Sequence, residues 1–194
     1  MSRVRRYSKR ASPVVGLLIT LIIFIGQHYG WFDSARNAAH TNQPGLYRVV
    51  EFVDGDTIAV DMNGNKETLR FIGVDTPETH DPRKAVQCYG KVAAAFTKNL
   101  IGTNSVRLEA DPLNTNRDRY NRLLRYIYLP NGTLVNAEII KQGYGFAYLS
   151  FPFTKADEFR QYEIDARNTN RGLWGTCSPT KNQYGGYTSP DAQN

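Results

Sequence analysis

Between residues 45 and 74 apolar and polar positions alternate in short runs, and the runs 46–53, 57–62 and 67–74 read as β-strands. In the second run Ile58, Val60 and Met62 alternate with Thr57, Ala59 and Asp61, the period of two that gives a strand one dry face. Asn63-Gly64 separates the second and third runs, and that dipeptide is a strong two-residue hairpin signal. The pattern then changes period. Residues 89–102 place Val92, Phe96 and Leu100 at four-residue spacing and end on Gly102, which predicts a helix. Two further strands are expected over 105–110 and 123–129, then a short helix over 134–142 stopped by Gly143. A last helix over 155–168 sets Ala156, Phe159, Tyr162 and Ala166 on one face. Five strands with about three helices between and after them predict an α+β protein. Its expected architecture is a five-stranded β-barrel of the OB-fold type with packed helices.

The flanks have a different texture. Residues 14–26 form an uncharged apolar run, and from Pro13 to Phe32 the segment approaches the roughly 20 residues that cross a bilayer, with Tyr29, Trp31 and Phe32 at its far end. A cleaved signal peptide and a buried core helix are the other readings. The residues before Ala35, Ala38 and Ala39 lack the small apolar pattern of a cleavage site, which favours a signal anchor. The expected organisation is a basic cytoplasmic tail (1–12), a single transmembrane helix (13–32), a linker (33–44), a folded domain (45–177) and a disordered tail (178–194). The folded domain is then extracytoplasmic by the positive-inside rule, or secreted if the segment is cut.

Charge supports that partition more than it supports a nucleic-acid partner. The chain of 194 residues has a net charge of +6, but Arg3, Arg5, Arg6, Lys9 and Arg10 supply nearly all of it. The rest is close to neutral, so any claim on phosphate must come from where particular arginines sit. Export also bears on Cys88 and Cys177. They form a disulfide in an oxidising compartment or remain two buried thiols, and nothing beside them resembles a metal site.

Chemistry concentrates around one hairpin. With Asn63-Gly64 as its loop, Thr57 lies opposite Arg70 and Asp56 opposite Phe71, so backbone register holds Arg70 beside Asp54-Gly55-Asp56. The third strand leads into Asp75-Thr76-Pro77-Glu78, where proline stiffens the corner. Carboxylates suit a hard cation, an arginine fork matches phosphate oxygens, and a further carboxylate can orient water. Surface salt bridging at a hairpin end is the plainer alternative. Asp61 to Lys66 imitates the start of an EF-hand loop but lacks the glycine and the distal glutamate, and reads as a turn. His80 reads as a solvated loop residue, and Arg83 and Lys84 as a cationic loop near the cleft.

The blocks "VDGDT", "LRFIGVDTPET", "RDRYNRLLRYIYLPNGTLVN", "QGYGFAY" and "NRGLW" occur in order over residues 47–174, and together they resemble the thermonuclease family of staphylococcal-nuclease-like enzymes. The resemblance implies an OB-fold nuclease that uses Ca²⁺ to hydrolyse DNA and RNA to 3′-phosphorylated products. It implies that Asp56, Asp75 and the Thr76 carbonyl bind the ion, with Asp54 in its outer shell. Arg70 and Arg122 would bind phosphate, Glu78 would act as the base for water, and Tyr120 and Tyr148 would line the nucleotide pocket. Two positions depart from the family pattern: Asn121 stands where a glycine is usual, and Ser150 where many relatives have a tyrosine. The expected protein is a monomeric, membrane-anchored nuclease acting on DNA and RNA. The alternatives are a non-catalytic OB-fold binding module, or a surface receptor or processing factor for imported DNA.

Overall fold

The structure is a computed structural model, and it describes residues 45–79, 85–183 and 185–192. The expected tail, membrane span and linker, together with His80, Arg83 and Lys84, lie outside the described residues. Within the described residues no helix is long and apolar enough to cross a membrane.

Five strands close into a barrel: β1 (Tyr47–Asp54), β2 (Thr57–Met62), β3 (Asn65–Phe71), β5 (Ser105–Glu109) and β6 (Leu123–Tyr128), in the spatial order β1-β2-β3-β6-β5. Closure removes sheet edges and puts Ile58, Leu69, Val106, Leu123 and Ile127 in a dry interior. The hairpin register is the one the loop dictates. Met62 pairs with Asn65 and Thr57 with Arg70, while Asn63 (φ 56°) and Gly64 (φ 84°) take the left-handed conformations of that turn. Ladder irregularities between Val49 and Glu51 and between Phe52 and Asp54 bend β1, so that it pairs with β2 along its length and with β5 at its start. β6 runs parallel to β3, with Leu124 beside Arg70.

The expected third run, 67–74, divides. After β3 the chain turns at Gly73, and Val74–Asp75 forms β4, paired with β7 (Phe146–Ala147) in a separate two-stranded sheet. That small sheet carries Asp75 off the barrel wall and fixes it from a second side.

Three helices flank the barrel: α1 (Gly90–Ile101), α2 (Val135–Lys141) and α3 (Ala156–Asn168). On α1 the apolar residues at four-residue spacing are not the deepest ones. Gly90, Ala93, Thr97 and Ile101 are buried, while Val92 is exposed and Phe96 stacks on Tyr144 at 3.9 Å between ring centroids. Small residues let α1 sit close to the barrel, and the Thr97 hydroxyl donates to the Gly55 carbonyl at 2.6 Å. On α3, Phe159 and Ala166 are buried as expected, and Glu163 is buried with them because its carboxylate accepts the Ala147 N–H at 2.9 Å.

The C-terminal segment corrects the sequence reading. Residues 178–194 were expected to be disordered, yet a short helix α4 (Leu173–Thr176) is followed by a hairpin of β8 (Thr180–Lys181) and β9 (Tyr187–Thr188). Tyr187 supplies the packing that the composition hid: its ring meets Trp174 edge-on at 4.9 Å and lies 6.3 Å from Phe146. Cys88 and Cys177 are disulfide-bonded, with Cα atoms 5.8 Å apart, which anchors the start of this segment.

Candidate active site

The carboxylates converge around Arg70. Asp56 follows the turn out of β1, and Gly55 before it is a glycine for a steric reason. A Cβ there would come within 2.8 Å of the Thr76 hydroxyl oxygen. The missing side chain lets Thr76 close over the turn, donating its N–H at 2.8 Å and its hydroxyl at 3.0 Å to Asp56 Oδ2. The other Asp56 oxygen accepts the Thr57 hydroxyl at 3.0 Å. Asp56 is therefore a buried carboxylate held in a fixed orientation by three neutral donors.

Arg70 stands between two acidic residues. Its Nη1 lies 2.5 Å from Asp56 Oδ2 in an ion pair, and its Nη2 donates to Asp75 Oδ1 at 3.0 Å. Burial of the guanidinium opposes its charge, but Asp56 and Asp75 outweigh that and keep it firmly protonated. The acids outnumber it. Burial pushes the Asp54 carboxyl up to about 6, with the charge of Asp56 adding to the rise. Asp75 is also raised, first by burial and then by Asp56 and Glu78, against the pull of Arg70. Four carboxyl groups around one arginine leave a surplus of negative charge, the condition that a divalent cation relieves.

Glu78 sits at the corner after Pro77. Its Oε1 accepts the Thr79 N–H at 2.9 Å, and its own N–H donates to Gln87 Oε1 at 2.8 Å. Thr79 in turn donates its hydroxyl to Asp54 Oδ1 at 2.9 Å, and Gly55 N–H donates to the same oxygen at 2.8 Å. Asp54 thus ties the first carboxylate turn to the Glu78 corner.

Arg122 belongs to a second group. Its Nε donates to Asp118 Oδ2 at 2.7 Å, and the same carboxylate accepts the N–H groups of Tyr120 (2.9 Å) and Arg122 (3.0 Å). Asn121, in the place of the usual glycine, takes φ 64°, so the tight turn is kept. Tyr120 is exposed, lies under Arg122 at 5.3 Å and accepts a bond from Arg119 at 2.7 Å. Tyr148 follows β7, its N–H donating to the Gly73 carbonyl at 2.9 Å, and its exposed ring lies 5.9 Å from that of Phe151. The structure therefore brings Asp54, Asp56, Arg70, Asp75, Thr76 and Glu78 together. Arg122 sits with Asp118 and Tyr120, and the Tyr148 ring with that of Phe151.

Asp118, Thr79 and Gln87 were not singled out from the sequence. Asp118 had a usable signal, an aspartate four residues before an arginine across a tight turn. Thr79 and Gln87 had none, because their partners are set by how loops meet. Among the described residues no group of three His, Cys, Asp or Glu side chains is arranged to hold a metal ion, and Asp56 and Asp75 are each paired with Arg70.

A closed five-stranded barrel with packed helices fits the OB-fold class of α+β proteins, and it carries an acidic, arginine-bearing corner at one hairpin end. Comparison with known proteins goes further. Residues 68–176 match the model of the staphylococcal nuclease homologue family. The thermonuclease of Staphylococcus hyicus is 38% identical over 162 residues, covering 83% of this chain and 93% of that protein. The thermonuclease of Staphylococcus intermedius is 33% identical over 170 residues, covering 86% and 98%. Endonuclease YncB of Bacillus subtilis is 39% identical over 133 residues, covering 68% of this chain and 62% of its own length. The chain belongs to the staphylococcal nuclease family.

Proposed function

We propose that this protein is a Ca²⁺-dependent nuclease that hydrolyses DNA and RNA to 3′-phosphorylated products, anchored at the membrane with its catalytic domain outside the cytoplasm. Family membership makes it a nuclease, a phosphodiester hydrolase acting on nucleic acid. The observation that carries the mechanism is the Asp56–Arg70–Asp75 group with Glu78 at the adjoining corner.

The donor set fits a hard divalent ion: Asp56 and Asp75 offer carboxylate oxygens, Thr76 a backbone carbonyl, and the surplus acidic charge gives the site a use for a cation. When bound, Ca²⁺ would supply positive charge against the scissile phosphate and the charge that develops on it. Arg70 has a planar fork fixed in direction by the barrel wall and can bind two phosphate oxygens. Arg122, steered by Asp118, supplies the second guanidinium. Glu78 orients the attacking water and takes its proton, and the rigid corner after Pro77 keeps that carboxylate in place. Tyr120 and Tyr148 present exposed rings to the flanking nucleotides. Recognition through phosphate and stacking suits a nuclease that tolerates many sequences.

The Cys88–Cys177 bond supports an oxidising, extracytoplasmic setting. The apolar run of residues 13–32 behind five cations supports the anchor. The test is to incubate the full chain with single- and double-stranded DNA and RNA, in Ca²⁺, in Mg²⁺ and in chelator, and to analyse product ends. Cleavage in Ca²⁺ that leaves 3′-phosphates and stops in chelator is expected. Binding without cleavage under every condition would instead mark a non-catalytic module.

A further inference from the structure

We propose that Gln87 is a positioning residue for Glu78, and that the C-terminal segment from β9 onward is the strap that holds Gln87 in that role. The inference rests on Glu78 as the group that orients water.

Gln87 holds both main-chain polar groups of Glu78. The Gln87 side-chain carbonyl accepts the Glu78 N–H at 2.8 Å, and the Gln87 N–H donates to the Glu78 carbonyl at 2.9 Å. A backbone N–H can only donate, so Oε1 must face Glu78, and Nε2 is turned to the Thr188 hydroxyl at 3.3 Å. The residue that fixes Glu78 is thus itself fixed by the strand β9.

The strap continues past that contact. Gln87 pairs with Asp191 in a β-bridge, Cys88 N–H donates to Pro190 O at 2.8 Å, and Ala192 N–H donates to Val86 O at 2.8 Å. The buried Ser189 hydroxyl donates to Cys88 O at 2.8 Å. The Cys88–Cys177 bond also ties this three-residue stretch to the end of α4, ahead of the β8–β9 hairpin that leads into the strap. Beneath the same corner, Gly90 has no Cβ, and one placed there would meet Glu78 O at 2.9 Å and Pro77 O at 3.0 Å. Helix α1 is thereby pressed against the corner from below while the strap holds it from the side.

A carboxylate on a short turn would otherwise wander over several backbone and rotamer states. Displacements on the order of 1 Å at a reacting group cost about 10²-fold in rate. The strap removes that freedom through main-chain and Gln87 contacts, so its loss should fall on turnover rather than on binding.

The test uses the full-length chain with single-stranded DNA and separates kcat from KM. Gln87→Ala is expected to lower kcat about 10–100-fold with KM changed less than about threefold. Gln87→Glu, which keeps an acceptor for the Glu78 N–H, is expected to recover much of that loss. Introduced into a Glu78→Gln background, Gln87→Ala should cause no further fall, because the group it positions has already lost its function. An unchanged kcat in Gln87→Ala, or an equal additional loss in the Glu78→Gln background, overturns the inference. Should Gln87→Ala fail to fold, Thr188→Val removes only the hydroxyl that holds Nε2. It should lower kcat severalfold at unchanged KM, and full activity there overturns the inference as well. If Glu78→Gln keeps full turnover, the catalytic reading of Glu78 fails and the inference falls with it. If Glu78→Gln is inactive and Gln87→Ala is fully active, the positioning role alone is wrong.

Discussion

Asp118 accepts from the N–H groups of both Tyr120 and Arg122 and from the Arg122 Nε, so one carboxylate shapes a turn and aims a guanidinium. Asp118→Ala should release Arg122 and lower kcat/KM by about tenfold or more, with the circular dichroism spectrum unchanged. A second carboxylate has a purely structural part. Burial alone would raise Asp111, but hydrogen bonds from Thr154 and Tyr126 outweigh it and hold the carboxyl below the ordinary range. A depressed pKa contributes stability above the unfolded value of about 3.9 and loses it as pH falls through the folded value. The melting-temperature gap between wild type and Asp111→Asn should therefore be widest above pH ~5 and shrink on further acidification. A gap independent of pH would contradict this account. At this scale the sequence was informative wherever regular pairing fixed neighbours. Arg70 beside Asp56 followed from a two-residue turn. Asp118, Thr79 and Gln87 were not legible, because each finds its partner through irregular backbone.

Strand β3 carries Arg70, the turn between β1 and β2 carries Asp54 and Asp56, and β4 with the corner after it carries Asp75, Thr76 and Glu78. Gly55 is the point where the turn before β2 meets the corner after β4, since Thr76 packs into the space that its side chain would fill. Gly55→Ala should push Thr76 away from Asp56, costing about 1–3 kcal/mol in denaturant unfolding and reducing activity in the fraction that remains folded. Helix and strand positions were legible because apolar spacing and glycine stops agree with the barrel. The face that α1 buries was not: Ala93 and Thr97 lie deeper than Val92 and Phe96, since close approach to a strand favours small residues over large ones. The sheet of β4 with β7 also escaped the sequence reading, as two-residue strands carry no period. It is nevertheless the element that sets Asp75 opposite Arg70.

In the described domain the site is a junction of three parts: the barrel wall gives Arg70, the turn before β2 gives Asp56, and β4 with the corner after it gives Asp75 and Glu78. The C-terminal segment closes round that corner, although its composition suggested disorder. One tyrosine on Trp174, a disulfide at its start and backbone pairing to Val86–Cys88 hold it where apolar content alone would not. On the proposed mechanism this junction cleaves phosphodiester bonds with a carboxylate-held metal and an arginine-held phosphate. The most direct measurement is the turnover of single-stranded DNA by wild type, Asp56→Ala and Arg70→Ala in Ca²⁺, with folding checked by circular dichroism. Each folded variant is expected to lose about 10²-fold or more in kcat, as removal of one preorganised charge-stabilising group does elsewhere. Near-wild-type turnover in either folded variant would contradict it.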